Sequence, residues 1–242
     1  MQCIKFMIFF SVIQLISLSC KKSGDESISP ASVNIVNAVA SSPGIIPVFG
    51  TSEAIQYFAN APNIYYQNSQ VYSPLSGSNN LYIIENNDTT VLAPKRQMFS
   101  GTINLAAGGI YSLFLAGDSI KPDTMFIQDQ IPVYNDSSAG IRFINLSPGS
   151  NPISINLVGN NPVTQQEFSS LGYKAISSFR KYVANSNISG NYSFEVHDQG
   201  SGNLLKTVIW HYTLFRNNTL VISGSEDLTS PTPLLVFQIN NY

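Results

Sequence analysis

IRFINLSPGSNPISINL, residues 141–157, reads as two strands hinged on a turn. Its first part is apolar and β-branched or aromatic, and Ser147-Pro148-Gly149 supplies turn chemistry: proline presets one backbone angle and glycine accepts the other. Beyond the turn Ile153, Ile155 and Leu157 fall on one face and Ser154 and Asn156 on the other, the period of two that a strand imposes. The same alternation returns where Tyr192, Phe194 and Val196 oppose Ser193, Glu195 and His197. Such strands are expected to keep one wet face. From Ser32 onward, short apolar stretches alternate with clusters of Gly, Pro, Asn, Asp and Ser, which predicts an all-β fold of the sandwich type. Thr164 and Glu167 have capping-box spacing, but no apolar helical run follows them.

The chain repeats itself at a separation of roughly 105 to 110 residues. ASVNIVNA, 31–38, lies over AGIRFINL, 139–146, and Ser42-Pro43-Gly44 recurs as Ser147-Pro148-Gly149. Ser76-Gly77 before the strand Leu81 to Glu85 recurs as Ser189-Gly190 before Tyr192 to Val196. YSLFLAGDS, 111–119, matches NTLVISGSE, 218–226, and Met125 to Gln128 matches Leu235 to Gln238. Five matches in one order predict two related sandwich domains, 32–134 and 139–242, joined by a short polar connection near Tyr134 to Ser138.

Those segments also carry a family resemblance. IRFINLSPGSNPISINL, LGYKAISSF running on to NYSFEV, and YSLFLAGD followed by PDTMFIQDQ resemble DUF4397, a domain of unknown function common in exported bacterial proteins. The resemblance covers nearly all of the chain after its first residues and departs from the pattern between Thr51 and Tyr72. It implies two tandem immunoglobulin-like, antiparallel β-sandwiches, and it implies no catalytic residues.

The first residues predict an address. Lys5 precedes an apolar run, Phe6 to Ile16, that has a signal peptide's length and is too short to span a bilayer. Ser17-Leu18-Ser19-Cys20 then resembles the loosened lipoprotein cleavage site of Bacteroidetes-type bacteria. On this reading 1–19 is a lipoprotein signal peptide, Cys20 is the lipidated residue, and 20–31 is a polar tether. Two or three acyl chains hold almost permanently, because each buried methylene contributes about 0.8 kcal/mol. The expected location is the outer membrane, on the cell surface or the periplasmic face. Ordinary signal-peptidase cleavage releasing a soluble protein is the alternative.

Composition closes off several functions. Removing residues 1–19 takes Lys5 and Cys3 with it, leaving eleven of twelve basic residues, fourteen acidic ones and a single cysteine, so no intrachain disulfide is expected. Scattered lysines and arginines offer no basic stripe for nucleic acid. The two histidines, His197 and His211, form no metal-binding spacing, so neither a metal nor a cofactor is expected. Glu195, His197 and Asp198 lie together and read as a solvated edge. No serine elbow or free cysteine nucleophile is present, so no catalytic residue is nominated and the protein is read as no enzyme.

Two features point to a surface role. Tyr57, Phe58, Tyr65, Tyr66 and Tyr72 are interleaved with Asn and Gln, as in sites where rings stack on sugars and amides bond their hydroxyls; the favoured reading of this pattern is a strand pair packing its tyrosines on its own domain, with the sugar site as the alternative. Trp210 reads as core. Thr89, Ser119 and Thr124 each follow an aspartate and precede another residue in a way that resembles the acceptor of Bacteroidetes O-glycosylation, in or beside turns. The expected partners are a membrane through Cys20, and a glycan or an envelope protein. A noncatalytic binding or adhesion lipoprotein is the leading expectation, a structural spacer or assembly subunit the alternative, and a glycan-active enzyme the third.

Overall fold

A computed structural model describes residues 29–50, 62–86, 96–118, 120–184, 190–227 and 229–241. Fifteen strands and no helix occur among them. The segment after Asn161 forms turns: Asn161 Oδ1 accepts from the amides of Val163 and Thr164, and Glu167 goes to the side chains of Arg180 and Tyr182.

The first seven strands are β1 Ser32–Asn37, β2 Ile45–Phe49, β3 Asn68–Tyr72, β4 Gly77–Glu85, β5 Gln97–Leu105, β6 Ile110–Gly117 and β7 Pro122–Gln128. They form two sheets, β3-β1-β6-β7 and β2-β4-β5. The next eight are β8 Ser138–Asn145, β9 Ile153–Leu157, β10 Phe168–Leu171, β11 Arg180–Val183, β12 Asn191–Asp198, β13 Leu204–His211, β14 Asn217–Ser223 and β15 Leu235–Asn241. Their sheets are β11-β8-β14-β15 and β10-β9-β12-β13. The all-β sandwich reading holds, with one addition: β1 pairs β6, and β8 pairs β14, in parallel, while every other named pair is antiparallel.

Both sandwiches use the same local device where the chain leaves the first strand. Asn37 Nδ2 donates to Ile64 O at 2.9 Å and its Oδ1 accepts from Val39 N at 3.1 Å. Asn145 does the same with Leu171 O and Ser147 N, each at 3.0 Å. An amide side chain thus satisfies backbone groups that the ladder leaves behind.

Side-chain alternation places the cores. On β6, Tyr111, Leu113 and Leu115 enter the first sandwich, while Phe114 and Ala116 face the other way. On β8, Ala139, Ile141 and Phe143 enter the second sandwich, while Ile144 faces the other way. The outward set is not wet. Val36, Ala38, Phe114, Ala116, Ile144, Leu146, Val221, Phe237 and Ile239 form a third buried cluster between the two inner sheets. The described residues therefore form a stack of four β-layers with three cores. Strands β6, β8 and β14 are buried almost throughout because both of their faces are covered.

The one-wet-face expectation fails on β9 and β12 for a different reason. Ser154, Asn156, His197 and Asp198 are buried, and most of the polar row finds partners sideways, with Asn156 Oδ1 left without one. Asn156 Nδ2 reaches Asn160 O at 3.3 Å and the Glu195 carboxylate at 3.1 Å. His197 lies 3.2 Å from that carboxylate and 3.0 Å from Gly202 O, and Asp198 takes the Ser201 amide at 2.6 Å. The Glu195, His197 and Asp198 trio is thus part of the strand packing and the β12–β13 turn, not a solvated edge.

Candidate functional site

The tyrosines singled out in the sequence point in different directions. Tyr65 is 60% exposed at the turn before β3. Tyr66 turns the other way, and its hydroxyl shares a 2.8 Å hydrogen bond with Ser223 Oγ of the second sandwich. Tyr72 packs its ring against Phe49 at 5.6 Å on the first core. Its hydroxyl is buried with no hydrogen-bond partner, and desolvation pushes its pKa up to about 12. Tyr57 lies outside the described residues. Tyr65, Tyr66 and Tyr72 therefore do not assemble one ring platform, since Tyr66 serves the junction and Tyr72 the core.

The backbone explains the junction tyrosines. Gln67 and Lys174 both have left-handed backbones, with φ of 70° and 62°, and their amides donate to Asn37 O and Asn145 O at 2.9 and 2.7 Å. The residue before each, Tyr66 and Tyr173, crosses to the opposite sandwich. Tyr173 donates to Asp123 Oδ2 at 3.2 Å, and Lys174 Nζ lies 2.9 Å from Asp123 Oδ1. Desolvation, then Asp123, pushes the Tyr173 phenol up to about 12. Burial alone would raise the Asp123 carboxyl, but the Lys174, Thr124 and Tyr173 contacts outweigh it and hold the pKa below the ordinary value.

At the other end of β7 from Asp123 lies a buried ion pair. Arg142 of β8 places Nη2 2.7 Å from Asp129 Oδ1, with side-chain exposures of 6% and 1%. Asp129 also accepts from Ser112 Oγ at 2.6 Å, and Arg142 Nε donates to Thr219 Oγ1 at 2.8 Å. The guanidinium lies 4.5 Å from the Phe179 ring centroid, completing its desolvated surroundings. Desolvation lowers the Arg142 pKa, opposed by Asp129. A groove of about 460 Å³ opens beside it, lined among others by Gln128, Gln130, Ser178 and Phe179.

A second concavity of about 330 Å³ lies at the end of the second sandwich, lined by Thr213, Arg216, Asn217, Asn240 and Asn241. None of these was singled out from the sequence, because scattered amides and one arginine carry no motif. Trp210, read as core, is fully buried with Nε1 donating to Asn218 Oδ1 at 2.9 Å.

Thr124 stands in β7 opposite Leu115, its amide bonded to Asp123 Oδ1 at 2.7 Å. The aspartate before it is thus engaged at the junction. Cys20, Thr89 and Ser119 lie outside the described residues. Among the described residues, no group of three or more His, Cys, Asp or Glu side chains could hold a metal ion, and no helix is long and apolar enough to cross a membrane.

The family model described as "Domain of unknown function (DUF4397)" matches residues 31–156, from before β1 into β9. No curated protein matches the chain. Three solved structures show a weak likeness. The family CBM26 module CBMbc of Eubacterium rectale Amy13K, in complex with maltoheptaose, is 10% identical over 87% of this chain and 97% of its own, with a TM-score of 0.24. A family 41 carbohydrate-binding module from streptococcal virulence factors is 11% identical over 86% and 96%, with a TM-score of 0.27. The fimbrial anchor protein Mfa2 of Porphyromonas gingivalis is 9% identical over 88% and 100%, with a TM-score of 0.26. Likenesses at such scores say nothing of ligand or role.

Proposed function

Because residues 31–156, more than half of the 242, match its model, this chain belongs to the DUF4397 family, and we propose that it is a noncatalytic binding or adhesion protein of the cell envelope. The observation that carries this reading is the junction. Seven large apolar side chains, Val36, Phe114, Ile144, Leu146, Val221, Phe237 and Ile239, are buried in the middle cluster. At about 1.5–3 kcal/mol per side chain, baring them would cost on the order of 10 kcal/mol. Burial on this scale, locked by the Arg142 to Asp129 pair, holds both sandwiches as one body. A rigid body presents its end turns and grooves in fixed relation, which suits recognition at low entropic cost.

The two sandwiches are read as two copies of the family domain, 32–134 and 139–242, following a signal peptide, 1–19, and a lipidated Cys20 on a short tether. Partners of this class are a glycan or another envelope protein. The same rigidity also favours a second reading, a spacer or assembly subunit of a surface complex. A glycan array and a cross-linking capture from isolated envelopes, both with the full chain, separate the two. Binding to either a glycan or an envelope protein at a discrete site is expected; capture of neither contradicts the binding role. Palmitate labelling lost in Cys20→Ser tests the anchor, and retained labelling contradicts it.

A further inference from the structure

The turn between β13 and β14 has a counterpart in the first sandwich, and the two differ in one telling way. In the β5–β6 turn Gly109 N donates to Ala106 O at 3.0 Å, Gly108 N to Pro30 O at 3.1 Å, and Gly109 O accepts from Ser32 N at 2.9 Å. In the β13–β14 turn Arg216 N donates to Thr213 O at 3.1 Å, Phe215 N to Ser138 O at 2.8 Å, and Arg216 O accepts from Gly140 N at 2.9 Å. The backbones are the same turn: Gly108 has φ of 68° and Phe215 has φ of 62°. Glycine is what this left-handed position favours, since a bulky side chain there is strained. Phe215 nevertheless occupies it and is 53% exposed, so packing does not account for it. Residues held in strain without a packing return point to recognition.

Arg216, the next residue, lines the cleft of about 330 Å³ with Thr213, Asn217, Asn240 and Asn241. Its guanidinium makes no ion pair or hydrogen bond among the described residues, whereas Arg142 and Arg180 are both paired. The amides are arranged asymmetrically. Asn240 Oδ1 accepts from Asn218 Nδ2 at 2.9 Å, and Asn241 Oδ1 accepts from Thr219 Oγ1 at 2.6 Å. Asn217 Nδ2 is spent on Pro132 O at 2.8 Å, and Asn217 Oδ1 lies against Gly140, where a Cβ would fall 1.9 Å from it. Most of the groups left over are donors, the guanidinium, the Nδ2 groups of Asn240 and Asn241, and the Thr213 hydroxyl, which can also accept; one buried acceptor, Asn217 Oδ1, has no partner. A donor-rich cleft whose arginine is the chain neighbour of the exposed Phe215 calls for a ligand that is rich in acceptors, negatively charged, and long enough to reach from the cleft to an aromatic face.

We propose that the cleft between the β13–β14 turn and the end of β15 binds a carboxylated saccharide, with Arg216 taking the carboxylate, Asn240 and Asn241 the hydroxyls, and Phe215 the sugar ring. This rests on the binding role proposed above and names its ligand class and site. The test is a calorimetric titration of the full chain, in detergent micelles, with oligogalacturonides, with the same oligomers methyl-esterified, and with sialyllactose against lactose. At least one acidic oligosaccharide should bind, and its neutral counterpart at least tenfold more weakly. Arg216→Ala should lose at least tenfold and Arg216→Lys less. Phe215→Gly should lose at least fivefold while melting no lower than the parent, which separates a lost contact from a lost fold. Equal affinity for acid and neutral forms, unchanged affinity in the variants, or no binding of any acidic oligosaccharide overturns the proposal. Binding of a neutral glycan or envelope protein that the variants leave intact would overturn this site alone and leave the binding role standing.

Discussion

Arg142→Met tests the junction at its most polar point. The substitution keeps the volume of the aliphatic stem and removes the 2.7 Å bond to Asp129, the 2.8 Å bond to Thr219 and the stacking on Phe179. Asp129 stays behind with its side chain 1% exposed and the Ser112 hydroxyl as its remaining side-chain partner. Leaving one member of a buried pair uncompensated costs about 3–5 kcal/mol. For a chain of this length that is a fall of roughly 6–20 °C in melting temperature, at about 2–4 °C per kcal/mol. The pair itself contributes much less than that, because both charges were desolvated to form it. Arg142→Met combined with Asp129→Leu should therefore recover more than half of the loss. Urea denaturation followed by tryptophan fluorescence and by far-UV circular dichroism is the assay; Trp210, the sole tryptophan, sits in the second core, whereas dichroism reports both sandwiches. The reasoning is refuted by a single variant within about 1 kcal/mol of the parent, or by a double variant no more stable than the single one.

Other consequences follow from the same geometry. Phe114→Ala empties the middle cluster and should cost about 3–5 kcal/mol, measurable by thermal melting, although Phe114 lies in neither sandwich core. Phe215→Gly should raise stability by ~0.5–1 kcal/mol in the same measurement, since relief of the left-handed strain exceeds glycine's entropic cost. Raising the pH should destabilise the protein between about 10 and 12. Tyr72 and Tyr173 keep their protons to about 12 when folded and release them near 10 when unfolded, so the folded state binds more protons in that window and stability falls as pH rises. Denaturation midpoints should decline across it, and Tyr72→Phe with Tyr173→Phe should flatten the decline.

Much of the architecture was legible in the residues. The alternation of Ile153, Ile155 and Leu157, the turn at Ser147-Pro148-Gly149 and the burial of Trp210 all follow from strand periodicity and turn chemistry, which are local, whereas in the first copy the hydrogen-bonded turn lies at Val39 to Ser42, just before Pro43-Gly44. What covers the second face of a strand is not local. NTLVIS and YSLFLAG are apolar on both sides of the pleat, yet short apolar runs of this kind do not say whether a helix, a sheet or a second copy lies across them. The middle core, and with it the Arg142 to Asp129 pair, became visible only in three dimensions. The different directions of the clustered tyrosines were not legible for a related reason. Tyr65 and Tyr66 are neighbours in the chain, but the left-handed backbone at Gln67 sets them on a turn that sends one to solvent and the other to Ser223. The β13–β14 turn had a signal in the repeat, where Phe215-Arg216 replaces Gly108-Gly109, but its weight depends on the φ angle at Phe215. The polar row on β9 and β12 read as exposed because alternation reports polarity, and polarity is compatible with burial when most of its groups find partners.

The most direct test of the account is native-state hydrogen exchange of the full chain, resolved on the amides of β1, β6, β8 and β14. One body with a buried junction predicts that the slowest amides of all four strands exchange through a single global opening, at one free energy and with one dependence on denaturant. Slowest amides of β1 and β6 that open at least about 2 kcal/mol more easily than those of β8 and β14, with their own denaturant dependence, would show two sandwiches unfolding separately and contradict it.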